Sequence, residues 1–140
     1  MRTRVPKMIV HAFWELPQNV LGAALLGLQA ATGRIEAIEL DRDRLFVRSK
    51  TAAVSLGFFV FWATGETRWF SLDERVKEHE YGHSFQSRML GPLYLPLVGV
   101  PSTMRVVYAI AYRELTGRRW TGYYDGYPAN WADRLGAVQR

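Results

Sequence analysis

Ser71-Leu72-Asp73-Glu74-Arg75-Val76-Lys77-Glu78-His79-Glu80-Tyr81-Gly82-His83-Ser84-Phe85 is the stretch on which the reading of this chain turns. It holds two histidines four residues apart. At 3.6 residues per turn, a helix stacks the His79 and His83 imidazoles on one face and sets Glu80 about a hundred degrees around from His79. The surroundings favour a helix. Ser71 as N-cap and Glu74 three residues on read as a capping box, with Asp73 also favouring the positive end of the dipole, so the helix should begin near Leu72. Val76, Phe85 and Met89 continue the inward side, Tyr81 and Gly82 are uncharged, and Gly91-Pro92 ends the run.

Two neutral imidazoles on one face can grip one divalent cation. Zinc held this way lowers the pKa of its bound water towards about 7, and a glutamate beside it can take that proton and pass it to a leaving amine. The same spacing arises by chance where histidines only make hydrogen bonds. Here the chain has three histidines and two of them fall in the motif. With no cysteine, no thiolate site or disulfide frame is available, so histidine and carboxylate are the strong ligands left and the redox compartment stays open.

These residues resemble the zincin superfamily of zinc metallopeptidases, whose signature is HExxH. The metzincin branch would continue with glycine and histidine where Gln86 and Met89 stand, which points instead to a gluzin-like member. In gluzins similar to the CAAX prenyl and heat-shock membrane peptidases, a third ligand comes from a glutamate four residues before an aspartate in an ExxAD-like run. Trp131-Ala132-Asp133 looks like the end of such a run, but Ala129 stands where the glutamate should be. The resemblance then implies zinc as cofactor, His79 and His83 as ligands, Glu80 as the catalytic base and Asp133 as third ligand. Glu114, Asp125 and the remote His11 are the other candidates for that ligand. The alternative role for Asp133 is an acid that orients a ligating histidine. Lys77 is a second departure, since the place two before the first histidine is usually uncharged. The resemblance runs from Ser71 to Gly136, specific in its first half and loose in its second. It implies an α+β, zincin-like fold, with a small antiparallel sheet packed on the HExxH helix and further helices on either side in sequence. The function it implies is hydrolysis of peptide bonds in a peptide or protein substrate. The rival is a non-catalytic zinc-binding or membrane-associated scaffold that kept the motif.

At 140 residues, 49% of them apolar, the chain can bury one core, so residues 1–140 are expected to form a single domain. The net charge of +5 is spread over Arg2, Arg4 and Lys7, over Arg42, Arg44, Arg48 and Lys50, and over Arg118-Arg119. None of these clusters interleaves with exposed aromatics, so nucleic acid is not expected as a partner. Leu16 to Gly33 reads as a helix of small apolar residues. Arg34 to Leu40 and Leu45 to Val47 read as a hairpin. Leu56 to Ala63 reads as a covered third strand, and it or its hairpin neighbour could be the edge that binds an extended substrate. Gly65-Glu66-Thr67 offers a turn, and a last helix should open at Pro101-Ser102 and run to about Leu115.

Two segments carry no charge: Leu16 to Gly33, and Met89 to Met104 with its glycines and prolines. The second should break every regular pattern and line the cleft, pack under the helix or dip into a bilayer. Leu16 to Gly33 is nearly long enough to span, but Pro17, Gln18, Asn19 and Gln29 dilute it, so a buried core helix or an interfacial one fits better than a clean span, and the chain is expected in the cytoplasm or associated with a membrane. Tyr124 and Tyr127, in the aromatic stretch Trp120 to Trp131, are attractive oxyanion helpers if they lie near the metal.

Overall fold

The computed structural model describes residues 4–140, with side chains from residue 9 onward. The basic side chains of Arg2, Arg4 and Lys7 lie outside that range. Helices α1 (Arg4–Trp14) and α2 (Leu16–Ala31) precede strands β1 (Ile35–Asp41), β2 (Arg44–Ser49), β3 (Val54–Leu56) and β4 (Phe59–Trp62). A two-stranded ribbon, β5 (Gly65–Glu66) with β6 (Ser71–Leu72), leads into α3 (Arg75–Leu90). A 3-10 turn (Gly91–Leu93) and a π-helical turn (Leu95–Gly99) run into α4 (Val100–Thr116). A second 3-10 turn (Tyr123–Asp125) and the short α5 (Ala129–Leu135) close the chain.

The fold is α+β, as expected, but the sheet is mixed rather than antiparallel. Its order is β1-β2-β4-β3, with β2 and β4 parallel and the outer pairs antiparallel. The hairpin β1/β2 forms as read. The expected strand Leu56 to Ala63 is divided by Gly57, which turns at φ +65, into the edge strand β3 and the interior strand β4. Val60 and Phe61 of β4 are fully buried, so the aromatic run is core and β3 is the edge.

The motif helix begins at Arg75, later than the sequence suggests. Ser71 is drawn into β6, and its hydroxyl donates to Glu66 instead of capping. Asp73 does that work: its Oδ1 accepts the Arg75 N–H at 2.9 Å. Val76 then joins Phe46, Val60 and Trp62 in the apolar cluster that fixes α3 on the sheet.

On its other side α3 packs antiparallel to α5. A Cβ on Gly82 would overlap the Ala132 carbonyl, and one on Gly136 would overlap the Glu78 carbonyl. Only glycine allows the two helices this close, and the closeness brings Asp133 within reach of His79. The uncharged, proline-rich segment after α3 does not break the pattern. Pro92, Pro96 and Pro101 each fall in the first two positions of a helical segment, where a missing N–H costs little, so Leu95–Thr116 is one continuous 22-residue helix.

Candidate metal centre

His79, Glu80 and His83 lie on the buried face of α3, at 2%, 7% and 3% exposure. One ligand atom from each comes within 4.8 Å of the others. The two rings meet edge to face with centroids 4.7 Å apart. The helical spacing has therefore put both imidazoles at one place, as the sequence required.

Each ring is held by its Nδ1. Asp133 Oδ1 lies 2.7 Å from His79 Nδ1, and Gln86 Oε1 lies 2.6 Å from His83 Nδ1. A carboxylate and an amide oxygen only accept, so in both rings the hydrogen bond assigns a proton to Nδ1, and in the neutral form of each ring Nε2 carries the lone pair. The Gln86 amide is fixed in turn, because its Nε2 donates to the Pro128 carbonyl at 3.2 Å. Asp133 is fixed by Arg140, with bonds of 2.6 Å to Oδ2 and 3.1 Å to Oδ1. His79 Nε2 is buried and has no hydrogen-bond partner. In the neutral ring that nitrogen is an acceptor with no donor beside it, in a group of side chains whose spacing could hold a metal ion.

Asp133 is not part of the converging group. Two atoms sharing a tetrahedral zinc at about 2 Å sit about 3.3 Å apart, so the 2.7 Å contact with His79 is that of a direct hydrogen bond. The third-ligand expectation for Asp133 gives way to its alternative, the acid behind the histidine. The other candidates are elsewhere. Glu114 is exposed and bonded to Arg68 and Trp69, Asp125 is exposed in its 3-10 turn, and His11 lines a separate cavity with Glu15, Asp43 and Arg88. Ala129 is buried one helical turn before Asp133. It follows Pro128 and so lies at the Gln86–His83 end of the helix pair.

Burial sets the protonation of the site. It pushes the Glu80 carboxyl up to about 7, opposed by the protonated form of His79 and by a hydrogen bond from the Ser55 backbone. Burial, aided by the charge of His79, pushes His83 down to about 3, so that ring is neutral in the neutral pH range. Burial also works to raise Asp133, but the hydrogen bonds from His79 and Arg140 hold it below its ordinary value.

A cleft of about 580 Å³ opens onto Glu80 and His83, walled by β3 on one side and by Leu95, Val100 and Met104 on the other. The Ser55 carbonyl on β3 accepts from Tyr94 at 3.0 Å, while its N–H holds Glu80. The middle of this edge is thus already occupied, and β3 offers no free ladder at Ser55. Tyr123 lines the same cleft, with burial and then the Glu80 charge raising its pKa. Tyr127 instead stacks on Trp131 and donates to the Leu97 carbonyl, and Tyr124 packs edge-on to His79 under the Arg140 guanidinium.

Sequence reasoning overlooked the roles of Gln86, Arg140, Ser55 and Tyr123. Gln86 carried a usable signal, since it stands three residues after His83 and so on the same face. Arg140 and Ser55 reach the site only through the tertiary fold. Comparison with protein-family models, with curated proteins and with solved structures finds no match.

Proposed function

We propose that this chain is a zinc-dependent hydrolase of peptide bonds, with His79 and His83 as ligands and Glu80 as the catalytic base. The observation that carries the proposal is the buried Nε2 of His79, left with a lone pair and no partner beside Glu80 and His83. The donor set fits: two neutral imidazoles, no thiolate and a carboxylate alongside suit zinc better than calcium or magnesium, which prefer oxygen. When bound, zinc would supply Lewis-acid polarisation of a carbonyl and of water. Everything else falls to the chain. Asp133 and Gln86 hold both rings with Nε2 forward, acting as positioning residues. Glu80, beside both histidines and facing the cleft, is placed to take a proton from water and return it to the leaving amine. Tyr123, kept protonated by burial, is the hydroxyl best placed in the cleft to steady a developing oxyanion.

Ala129 favours a second reading, a zinc-binding protein without turnover, because no further protein carboxylate joins His79, Glu80 and His83 among the described residues. The two readings part on one experiment. Hydrolysis of an unstructured peptide is measured with zinc, with a chelator and for Glu80→Gln. The hydrolase reading expects cleavage that needs zinc and falls at least a thousandfold in Glu80→Gln while zinc stays bound. Zinc binding with no cleavage by the parent protein selects the second reading.

A further inference from the structure

Helix α2 is inside out. Its buried residues are Gln18, Gly22 and Gln29, while Leu16, Val20, Leu21 and Leu28 point outward, Val20 and Leu28 at 58% exposure each. Every polar side chain of the helix between Leu16 and Ala31 bonds inward or along the chain. Gln18 donates to Ser87 and to the Gly91 carbonyl, Gln29 accepts from Ser49, and Asn19 accepts from the Phe58 N–H. Gly22 lets the helix press on Phe59 and Leu56. The helix Leu95–Thr116 is also long and apolar, yet only 11% of its most apolar stretch is buried. Leu97, Val100, Met104 and Val107 form its outward stripe at three- and four-residue steps, with Tyr108 beside Val107 and Leu93 four residues before Leu97 also exposed. Arg105, the one charged residue between Leu95 and Tyr112, is turned off that stripe: its guanidinium donates to the carbonyls of Gly122 and Tyr123.

We propose that the outer faces of α2 and of Leu95–Thr116 are immersed in a lipid bilayer. Polar groups inward, small residues at the helix contact and aliphatic groups outward is the arrangement that hydrocarbon surroundings select. The 22 residues of Leu95–Thr116 span about 33 Å, enough for a hydrocarbon core of about 30 Å, while the 16 of α2 reach about 24 Å and enter the core without crossing it alone. Charge agrees as well. Arg34 follows α2, and Arg113 and Arg118 stand at the end of α4, where they would meet anionic headgroups in a chain of net charge +5; Arg119 beside them is held by Glu66. Leu21 from α2 and Val100 and Met104 from α4 stand on both this face and the wall of the cleft that opens onto Glu80. The cleft therefore opens towards the membrane, and its substrate is an apolar, membrane-bound polypeptide segment; this last step rests on the hydrolase reading above.

The test is flotation of the full chain with phosphatidylcholine–phosphatidylglycerol vesicles, together with its retention in host membranes after an alkaline wash. Parent protein and Glu80→Gln should float alike and resist the wash. The double change Leu97→Glu, Met104→Glu, and separately Leu28→Glu, should cut the floating fraction at least tenfold, while Ile38→Glu, an equally exposed apolar site on β1, should not. A parent protein that is monodisperse without detergent and stays with the soluble fraction overturns the proposal. So does a detergent-free dimer that Leu97→Glu, Met104→Glu dissociates. Cleavage of a vesicle-anchored peptide in preference to its soluble form supports the substrate class, and equal cleavage of both overturns it. Flotation with no cleavage of either peptide leaves the lipid face standing and removes the hydrolase reading alone.

Discussion

His79 and His83 each commit Nδ1 to an acceptor of the protein, and under the proposed zinc reading Nε2 is the nitrogen that takes the metal, so the acceptor placed behind each ring decides which nitrogen faces forward. Asp133→Asn keeps the shape but removes the charge that fixes the His79 tautomer. It should weaken zinc binding by about 10- to 100-fold in an equilibrium titration, with helicity unchanged; undiminished affinity would show that the aspartate does not orient the ring. The two titrating neighbours also predict how stability without metal follows pH. Glu80 has a folded pKa of about 7 against an ordinary 4.5, so its contribution is whole below 4.5 and is lost as pH rises through 7. His83 has a folded pKa of about 3 against 6.5, so its contribution is whole above 6.5 and is lost as pH falls through 3. Between 4.5 and 6.5 the two slopes oppose each other. The urea midpoint of metal-free protein should therefore be nearly level there, fall steeply below 4.5 and fall slightly from 6.5 to 7. Glu80→Gln should remove the loss above 6.5 and expose a rising slope from 4.5 to 6.5, and a parent-like profile in that variant would contradict the assignment.

At the scale of elements, the site depends on α3 and α5 lying against each other at Gly82 and Gly136. Ala129 is on α5, one turn before Asp133, is buried, and follows Pro128, whose carbonyl holds Gln86. Ala129→Glu should give the pair of histidines a third anionic donor and raise zinc affinity tenfold or more, measured by competition with a chromogenic chelator. Unchanged affinity would place residue 129 out of reach of the metal. How much of this the sequence disclosed depended on range. The i, i+4 histidines, the apolar body of α2 and the β1/β2 hairpin were legible because their signals are local. The start of α3 was misread because Ser71 had a competing use in β6, five residues from its partner Glu66. The helix through Pro92 and Pro96 was hidden because proline signals a break unless its place in the first turn is known. The parallel pairing of β2 with β4, and the role of Asp133 across 54 residues from His79, follow from packing that no local pattern encodes.

For the molecule as a whole, the buried polar groups collect around α3 and the outward faces of α2 and α4 are aliphatic, so the chemistry and the apolar surface are two sides of one arrangement. The chain's three histidines are divided accordingly, two at the site and His11 in another cavity. A metal bound anywhere else would not depend on the pair in α3. Zinc titration of the purified, detergent-solubilised chain, run beside His79→Ala, His83→Ala and Glu80→Gln, measures this directly. One equivalent of tightly bound zinc in the parent and in Glu80→Gln, with affinity lost at least a hundredfold in each histidine variant, is the predicted result. No zinc bound by the parent, or the same affinity in all four proteins, would contradict the account.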